Sequence, residues 1–353
     1  MNIGHISFPQ PFCQAGLAGY SDRAMRLVAR RRGCSYAVTE ALLDTIMLNG
    51  GQGLRKSIDI NDEDHPIAGQ VMGSEPEQMA SAAVILADHG YDVIDLNFAC
   101  PVKKIKNKAR GGHMLRDTDR AIAILKMVRD RVPDRVPTTI SMRRGFDDSA
   151  ESRESFFEVA ESAWANGYAA IRVHGRTVDQ KYLGAAHWPF LTELKRIYPT
   201  RTILGSGDVF TAQDAVRMLK ETGVDMAWIA RGAIGNPWIF QHAAALLVDP
   251  NATISPPTIH EQREALAEHF ALATEIHGEA LAARRMRKMG IKYSRLHPLA
   301  AMVKTEFINV SSLRDWGNVL EKWYAADGAG VWPGATAVDE VNEADTSSCE
   351  ATA

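Results

Sequence analysis

The sequence predicts an α/β fold: a (β/α)8 TIM barrel followed by a small all-α helical domain. Three observations predict it. Short apolar, β-branched runs alternate eight times with longer amphipathic stretches, as parallel strands do with crossover helices. Polar residues stand at the C-terminal ends of seven runs: Glu40, Gln70, Asn97, Arg143, His174, Asp208 and Arg231. In a barrel those ends share one rim, where active sites form. After about residue 250 the strand pattern stops and only helical patterning remains. A doubly wound sheet is the competing arrangement.

The predicted strands are Phe12–Ala18, Ser35–Glu40, Pro66–Met72, Val93–Asn97, Pro137–Met142, Ala169–His174, Thr202–Gly205 and Met226–Arg231. Helical patterns lie between them at Glu75–His89, Asp119–Arg131, Ser152–Asn166 and Ala212–Thr222. Ser74 with Glu77, and Thr211 with Asp214, have capping-box spacing. Gly90 and Gly223 follow helices where a left-handed cap is expected.

Domain boundaries follow from composition. Residues 1–250 form the barrel, Pro256 to Thr258 a linker, and residues 256–324 a helical domain with helices over Ile259–Gly278, Ala280–Leu296, Leu299–Phe307 and Leu313–Tyr324. Between Leu281 and Tyr324 nine bases oppose three acids, a local charge of +6 in a chain of net charge −3. Residues 325–353 carry six acids and no base, the composition of a disordered acidic tail. Because the whole chain is not basic, a nucleic-acid partner has to be argued from the local cluster.

Hydrophobic residues make up 46% of the chain, enough for a full core. Cys13, Cys34, Cys100 and Cys349 show no CxxC pairing, which points to a reducing compartment and not to disulfides or a metal site. No apolar run approaches the roughly 18 residues a membrane span needs, and no secretory-signal pattern opens the chain. A cytoplasmic location, no membrane association and no obligate protein partner are the expectations.

The chemistry concentrates at strand ends. Cys100 follows the fourth strand and precedes Pro101, which puts its thiol on the rim, and Lys103 and Lys104 come next. A thiol so placed can act as a general acid, although a small buried core residue is the commoner role of a cysteine. Gly205, Gly207 and Asp208 end the seventh strand, and Arg231 and Gly232 the eighth. Barrels hold phosphates there on backbone N–H groups. Gln70, His174 and the Asn97 amide are candidate hydrogen-bond partners for a ligand at the rim, although a satisfied core polar residue is the commoner role of each. Arg143 and Arg176 could hold a phosphate or another anionic group, or lie on a solvated surface. Arg284, Arg287 or Lys288, and then Lys292 share a helix face that could follow a phosphate backbone.

Asn97-Phe-Ala-Cys-Pro101 resembles the signature of the tRNA-dihydrouridine synthases, usually Asn-Phe-Gly-Cys-Pro. Seven further segments match that family in order: Ala18-Gly-Tyr-Ser-Asp-Arg23, Thr39-Glu40, Gln70-Val-Met-Gly-Ser-Glu-Pro76, Arg143-Arg-Gly145, Val173-His-Gly-Arg-Thr177, Gly205-Ser-Gly-Asp208, and Ala230-Arg-Gly-Ala-Ile-Gly-Asn-Pro-Trp238. The resemblance implies an FMN enzyme that reduces uridine to 5,6-dihydrouridine in tRNA with electrons from NADPH or NADH. It also implies Ala18 at the cofactor, Gln70 and His174 at the flavin edge, Asn97 against a uracil or flavin imide, Arg143 and Arg176 on the flavin or RNA phosphate, and Cys100 as the acid that protonates uracil C5.

Three departures accompany it. The family usually carries a lysine at the position of Ser141, aimed at the flavin N1/O2 edge. Without it, reduction is harder or another cation substitutes, with Arg143 the first candidate and Lys181 the second. The family's Gly-Ala-Gly-Ser reads Ala109-Arg-Gly-Gly112 here, and Ser206 replaces the usual Asn. A flavin- or RNA-binding relative without the chemistry, and an FMN barrel acting on a small molecule, are the competing readings.

Overall fold

A computed structural model describes residues 1–50, 54, 58–101 and 110–333. Eight parallel strands close into a barrel: β1 (Phe12–Gln14), β2 (Tyr36–Val38), β3 (Ile67–Met72), β4 (Val93–Phe98), β5 (Thr138–Arg143), β6 (Ala170–His174), β7 (Ile203–Ser206) and β8 (Met226–Ile229). Pairing of β8 with β1 and of β2 with β3 completes the circle. Each strand is followed by a helix: α1 (Arg23–Arg30), α2 (Asp44–Asn49), α3 (Pro76–Asp88), α4 (Thr118–Arg131), α5 (Ala150–Ala165), α6 (Trp188–Ile197), α7 (Ala212–Thr222) and α8 (Ile239–Val248).

All eight predicted strands form; five are shorter than expected, while β4, β5 and β7 run one residue further, to Phe98, Arg143 and Ser206. The capping box of Thr211 and Asp214 starts α7, and Gly223 ends it in the left-handed region at φ 73°. The Ser74 box does not form. Pro76 takes the first helical turn with Glu75 as N-cap and no side-chain cap bond, because proline fixes φ for that position.

A hairpin the sequence did not signal, Asn2–Ile3 with Ile6–Ser7, closes the barrel floor. Its Ile3, together with Phe8, packs with Cys13, Tyr36, Ala68, Val93, Ala170, Leu204, Met226 and Trp228 inside the barrel. Side chains alternate along a strand, so the residue two positions later points inward too, and on β3, β4, β6 and β7 that residue is polar: Gln70, Asp95, Arg172 and Ser206.

Four helices follow: α9 (Ile259–His277), α10 (Glu279–Tyr293), α11 (Ala300–Ile308) and α12 (Leu313–Trp323). A Thr258–Glu261 capping box starts α9. This bundle is bound to α1 by charge as well as packing. Arg31 and Arg32 reach Glu268 at 2.6 and 2.8 Å, and His277 Nε2 meets Asp22 at 2.8 Å. Residues 325–333, expected as the start of a disordered tail, instead lie against the bundle. Ile259 N donates to Gly328 O at 3.0 Å and Val331 N to Leu296 O at 2.9 Å. The remainder of that tail lies outside the described residues.

Candidate active site

The barrel mouth is a cavity of about 170 Å³ lined by the strand ends. Of the rim residues expected from sequence, Gln70, Asn97, Arg143, His174, Asp208 and Arg231 line it, with Cys100, Ala18 and Gly207. Glu40 is placed aside, accepting a hydrogen bond from Gly19 N at 2.7 Å.

Cys100 is held through its backbone. Asn97 Oδ1 accepts from the N–H groups of Ala99 and Cys100, both at 3.0 Å, and Gly112 N donates to Cys100 O at 2.9 Å. Asn97 Nδ2 donates to Gln70 Oε1 at 2.7 Å, and Gln70 Nε2 to Asp95 Oδ2 at 2.7 Å. The Asn97 amide is therefore turned to the loop and to Gln70. Lys103 and Lys104 lie outside the described residues.

Arg143 is buried, and its guanidinium donates to the carbonyls of Ala99, Thr177 and Lys181 at 2.7–2.8 Å. Burial pulls its pKa down to about 10, with Tyr182 and Cys100 acting in the other direction. His174 Nδ1 accepts from Arg176 N at 3.1 Å, so the ring proton sits on Nε2. Burial holds His174 well below the usual histidine range, and the charges of Arg143, Arg172, Arg176 and Arg231 push the same way. His174 is thus a neutral imidazole inside a strongly positive mouth that suits an anionic ligand.

Gly207 adopts φ 119°, and a Cβ there would stand 2.6 Å from Ala186 Cβ. A Cβ on Gly232 would meet Val209 O at 2.5 Å. Between these bare backbones lie Arg231, Phe210 and the N-terminus of α7, and a second cavity adjoins them with Gly232, Thr211 and Lys292 on its wall. Asp208 is also at positive φ, 55°. Its carboxylate takes Arg176 Nη2 at 2.7 Å, Arg231 Nη2 at 3.4 Å and Ala186 N at 2.7 Å.

Two expected contacts are placed differently. Arg176, read as a substrate or flavin contact, is buried against Asp208 and the Gly184 carbonyl, so it fixes the loop after β6. Gly205, read as a cofactor contact, faces Leu191, Met218 and Val224, where a side chain would collide at 2.9–3.3 Å; it lets α6 and α7 pack on β7.

The sequence reading missed the polar layer beneath the rim. Asp95 is fully buried and accepts from Gln70, Thr139 and Ser141, all at 2.7 Å. Burial raises its pKa against the pull of Arg172 and these bonds. Arg172 lines the cavity beside Trp228 and Ser206. The signal was the two-residue period: Asp95 precedes Asn97, Ser141 precedes Arg143 and Arg172 precedes His174 by two, which puts each pair on the inner face.

The basic helix α10 stands next to the mouth. Lys288 Nζ lies 4.4 Å from the ring centroid of Tyr20, which itself lines the cavity. Arg284 and Arg287 are exposed, while Lys288 and Lys292 are half-buried, Lys292 on the wall of the second cavity. No helix among the described residues is long and apolar enough to cross a membrane.

A family model described as Dihydrouridine synthase matches residues 13–326. The chain is 33% identical over 301 residues to tRNA-dihydrouridine synthase B of Xanthomonas campestris, covering 85% of this chain and 89% of that protein. It is 32% identical over 288 residues to tRNA-dihydrouridine synthase B of Pseudomonas aeruginosa, covering 82% and 85%. It is 31% identical over 322 residues to a probable tRNA-dihydrouridine synthase of Rhizobium leguminosarum, covering 91% and 96%. Among solved structures, a 2-naphthoyl-CoA reductase complex superposes with TM-score 0.54 at 14% identity, over 69% of this chain and 51% of that one. Histamine dehydrogenase from Rhizobium sp. 4-9 superposes with TM-score 0.51 at 14% identity, over 77% and 50%. The chain spans about half the length of these two structures, and the likeness is one of fold.

Proposed function

The chain belongs to the dihydrouridine synthase family, and from that premise we propose that it is an FMN-dependent enzyme reducing uridine to 5,6-dihydrouridine in tRNA, with NADPH or NADH as the electron source. The observation that carries the reading is the placement of Cys100 at the mouth of a cavity that also holds Arg143, Arg172, Arg231 and Gly207 on its wall.

The residues present fit the cofactor. Gly207 and Gly232 leave backbone N–H groups open to a phosphate, and Arg231 adds charge beside the start of α7. The flavin ring would lie between the segment containing Ala18 and the Gln70, Asn97 and His174 side chains, with His174 Nε2 as a donor. When bound, FMN supplies the hydride for uracil C6.

Cys100 Sγ delivers the proton to uracil C5 from the face opposite the hydride. The proton leaves a thiolate, and the Arg143 charge acts electrostatically on Cys100 to offset it. Asn97 keeps the Cys100 backbone in place during the transfer. The bases of α10, exposed at Arg284 and Arg287 and reaching Tyr20 at the mouth through Lys288, hold the RNA backbone while one base enters. A small-molecule reductase has no use for that face.

The test is to purify the protein, release its flavin by heat, and assay it on unmodified tRNA with each nicotinamide. FMN in the supernatant and dihydrouridine in the tRNA are expected. Bound FAD, no flavin after reconstitution, or reduction of free uridine but not of tRNA would overturn the reading.

A further inference from the structure

We infer that Arg172, on β6, supplies the positive charge at the N1/O2 edge of the flavin, replacing the lysine the family usually carries at Ser141 on β5. The inference rests on the flavin reading above and deepens it.

Ser141 and Arg172 are direct neighbours in the β5–β6 register, and both point into the barrel. Arg172 Nε donates to Ser141 Oγ at 2.9 Å, Nη1 reaches Ser206 Oγ at 3.5 Å, and the guanidinium carbon lies 4.8 Å from the Trp228 ring centroid. The two hydroxyls are the two departures from the family pattern on these strands, Lys to Ser at 141 and Asn to Ser at 206. Each is the smaller side chain, and together they make the room the guanidinium fills. The three positions form one unit.

The charge state of this unit is unusual. Arginine has five N–H donors, and among the described residues these two hydroxyls are the hydrogen-bond acceptors Arg172 has, with no carboxylate in ion-pair contact. Asp95 is nearest in effect, but Ser141 stands between them and Asp95 is already satisfied by Gln70, Thr139 and Ser141. A buried guanidinium with unspent donors facing a cavity is costly unless a ligand completes it. Burial lowers its pKa accordingly. Negative charge develops on the flavin N1/O2 edge on reduction, and a fixed cation there favours the reduced form.

The substitutes expected from sequence are placed elsewhere. Arg143 is turned to three loop carbonyls. Lys181 sits in the loop after β6 at φ 50°. A lysine added at 141 would bring a second cation to the space Arg172 already occupies.

The test measures the flavin midpoint potential and the affinity for oxidised flavin in three variants. Arg172→Met should weaken reduced relative to oxidised flavin about tenfold, a drop of about 30 mV for two electrons. Ser141→Lys combined with Arg172→Ala should restore the wild-type potential, because the cation returns from the neighbouring strand. Ser141→Lys alone should hold flavin more weakly than that double variant. An Arg172→Met protein with full flavin and an unchanged potential overturns the inference while leaving the flavin reading intact. Wild-type protein that binds no flavin overturns both. If Arg172→Met does not fold, the order of the other two variants decides, and Ser141→Lys alone matching or exceeding the double variant overturns the inference.

Discussion

The side-chain oxygen of Asn97 accepts the backbone N–H of Cys100 at 3.0 Å, so the Cys100 loop and the floor of the cavity are parts of one hydrogen-bonded chain. From Cys100 it runs through Asn97, Gln70 and Asp95 to Ser141 and Arg172. Asn97→Ala leaves the N–H groups of Ala99 and Cys100 without their acceptor, a cost of about 1–3 kcal/mol if they stay buried. Thermal melting should fall accordingly, and turnover should drop more than flavin affinity. Equal losses in both would show that Asn97 serves the flavin and not the Cys100 loop.

Arg176 and Asp208 form a loop-fixing pair. Arg176→Ala should release Asp208 from its main partner and disturb the phosphate cradle, weakening FMN binding by about 1.5–3 kcal/mol, the scale of a charged hydrogen bond. RNA affinity in a flavin-saturated sample should be unchanged. A selective loss of RNA binding would restore the substrate role that the sequence suggested.

The joint between barrel and bundle should be pH-sensitive. Burial lowers His269 to about 4, more than Asp22 and Glu268 raise it. For a histidine held neutral in the fold, the stability is complete above the unfolded value near 6.5 and is lost as pH falls from there towards 4. The loss is on the order of 3 kcal/mol. Burial raises Asp22, but its hydrogen bond with His277 and neighbouring groups bring it to about 2, so it stays ionised throughout that window. Chemical denaturation at several pH values should show the slope, and His269→Phe should flatten it.

RNA binding should weaken steeply with salt. Arg284→Ala with Arg287→Ala should reduce the log–log slope by about two units, close to one per phosphate contact, and leave flavin content alone. A slope indifferent to both substitutions would move the RNA platform away from α10.

The barrel was legible because eight strand–helix alternations and polar strand ends are repeated signals. The helices of the bundle were legible from periodicity. What escaped depended on contacts between distant segments. Nothing in the linear sequence links Asp95 to Arg172, which meet through Ser141 only once β4, β5 and β6 pair, and the role of Arg176 depends on Asp208, 32 residues away. Gly205 resembled a phosphate glycine because its motif does, yet its bare face meets α6 and α7. The N-terminal hairpin is two residues per strand, too short for any period to show.

The proton-donor role of Cys100 can be measured directly. The measurement is dihydrouridine formed in tRNA by wild-type and Cys100→Ala protein, each starting with fully reduced flavin. Cys100→Ala should form product about 10²–10⁴ times more slowly than wild type, the usual worth of a positioned acid, while its oxidised flavin, measured separately, is reduced by the nicotinamide at the wild-type rate. Product formed by Cys100→Ala at the wild-type rate would contradict the proton-donor role.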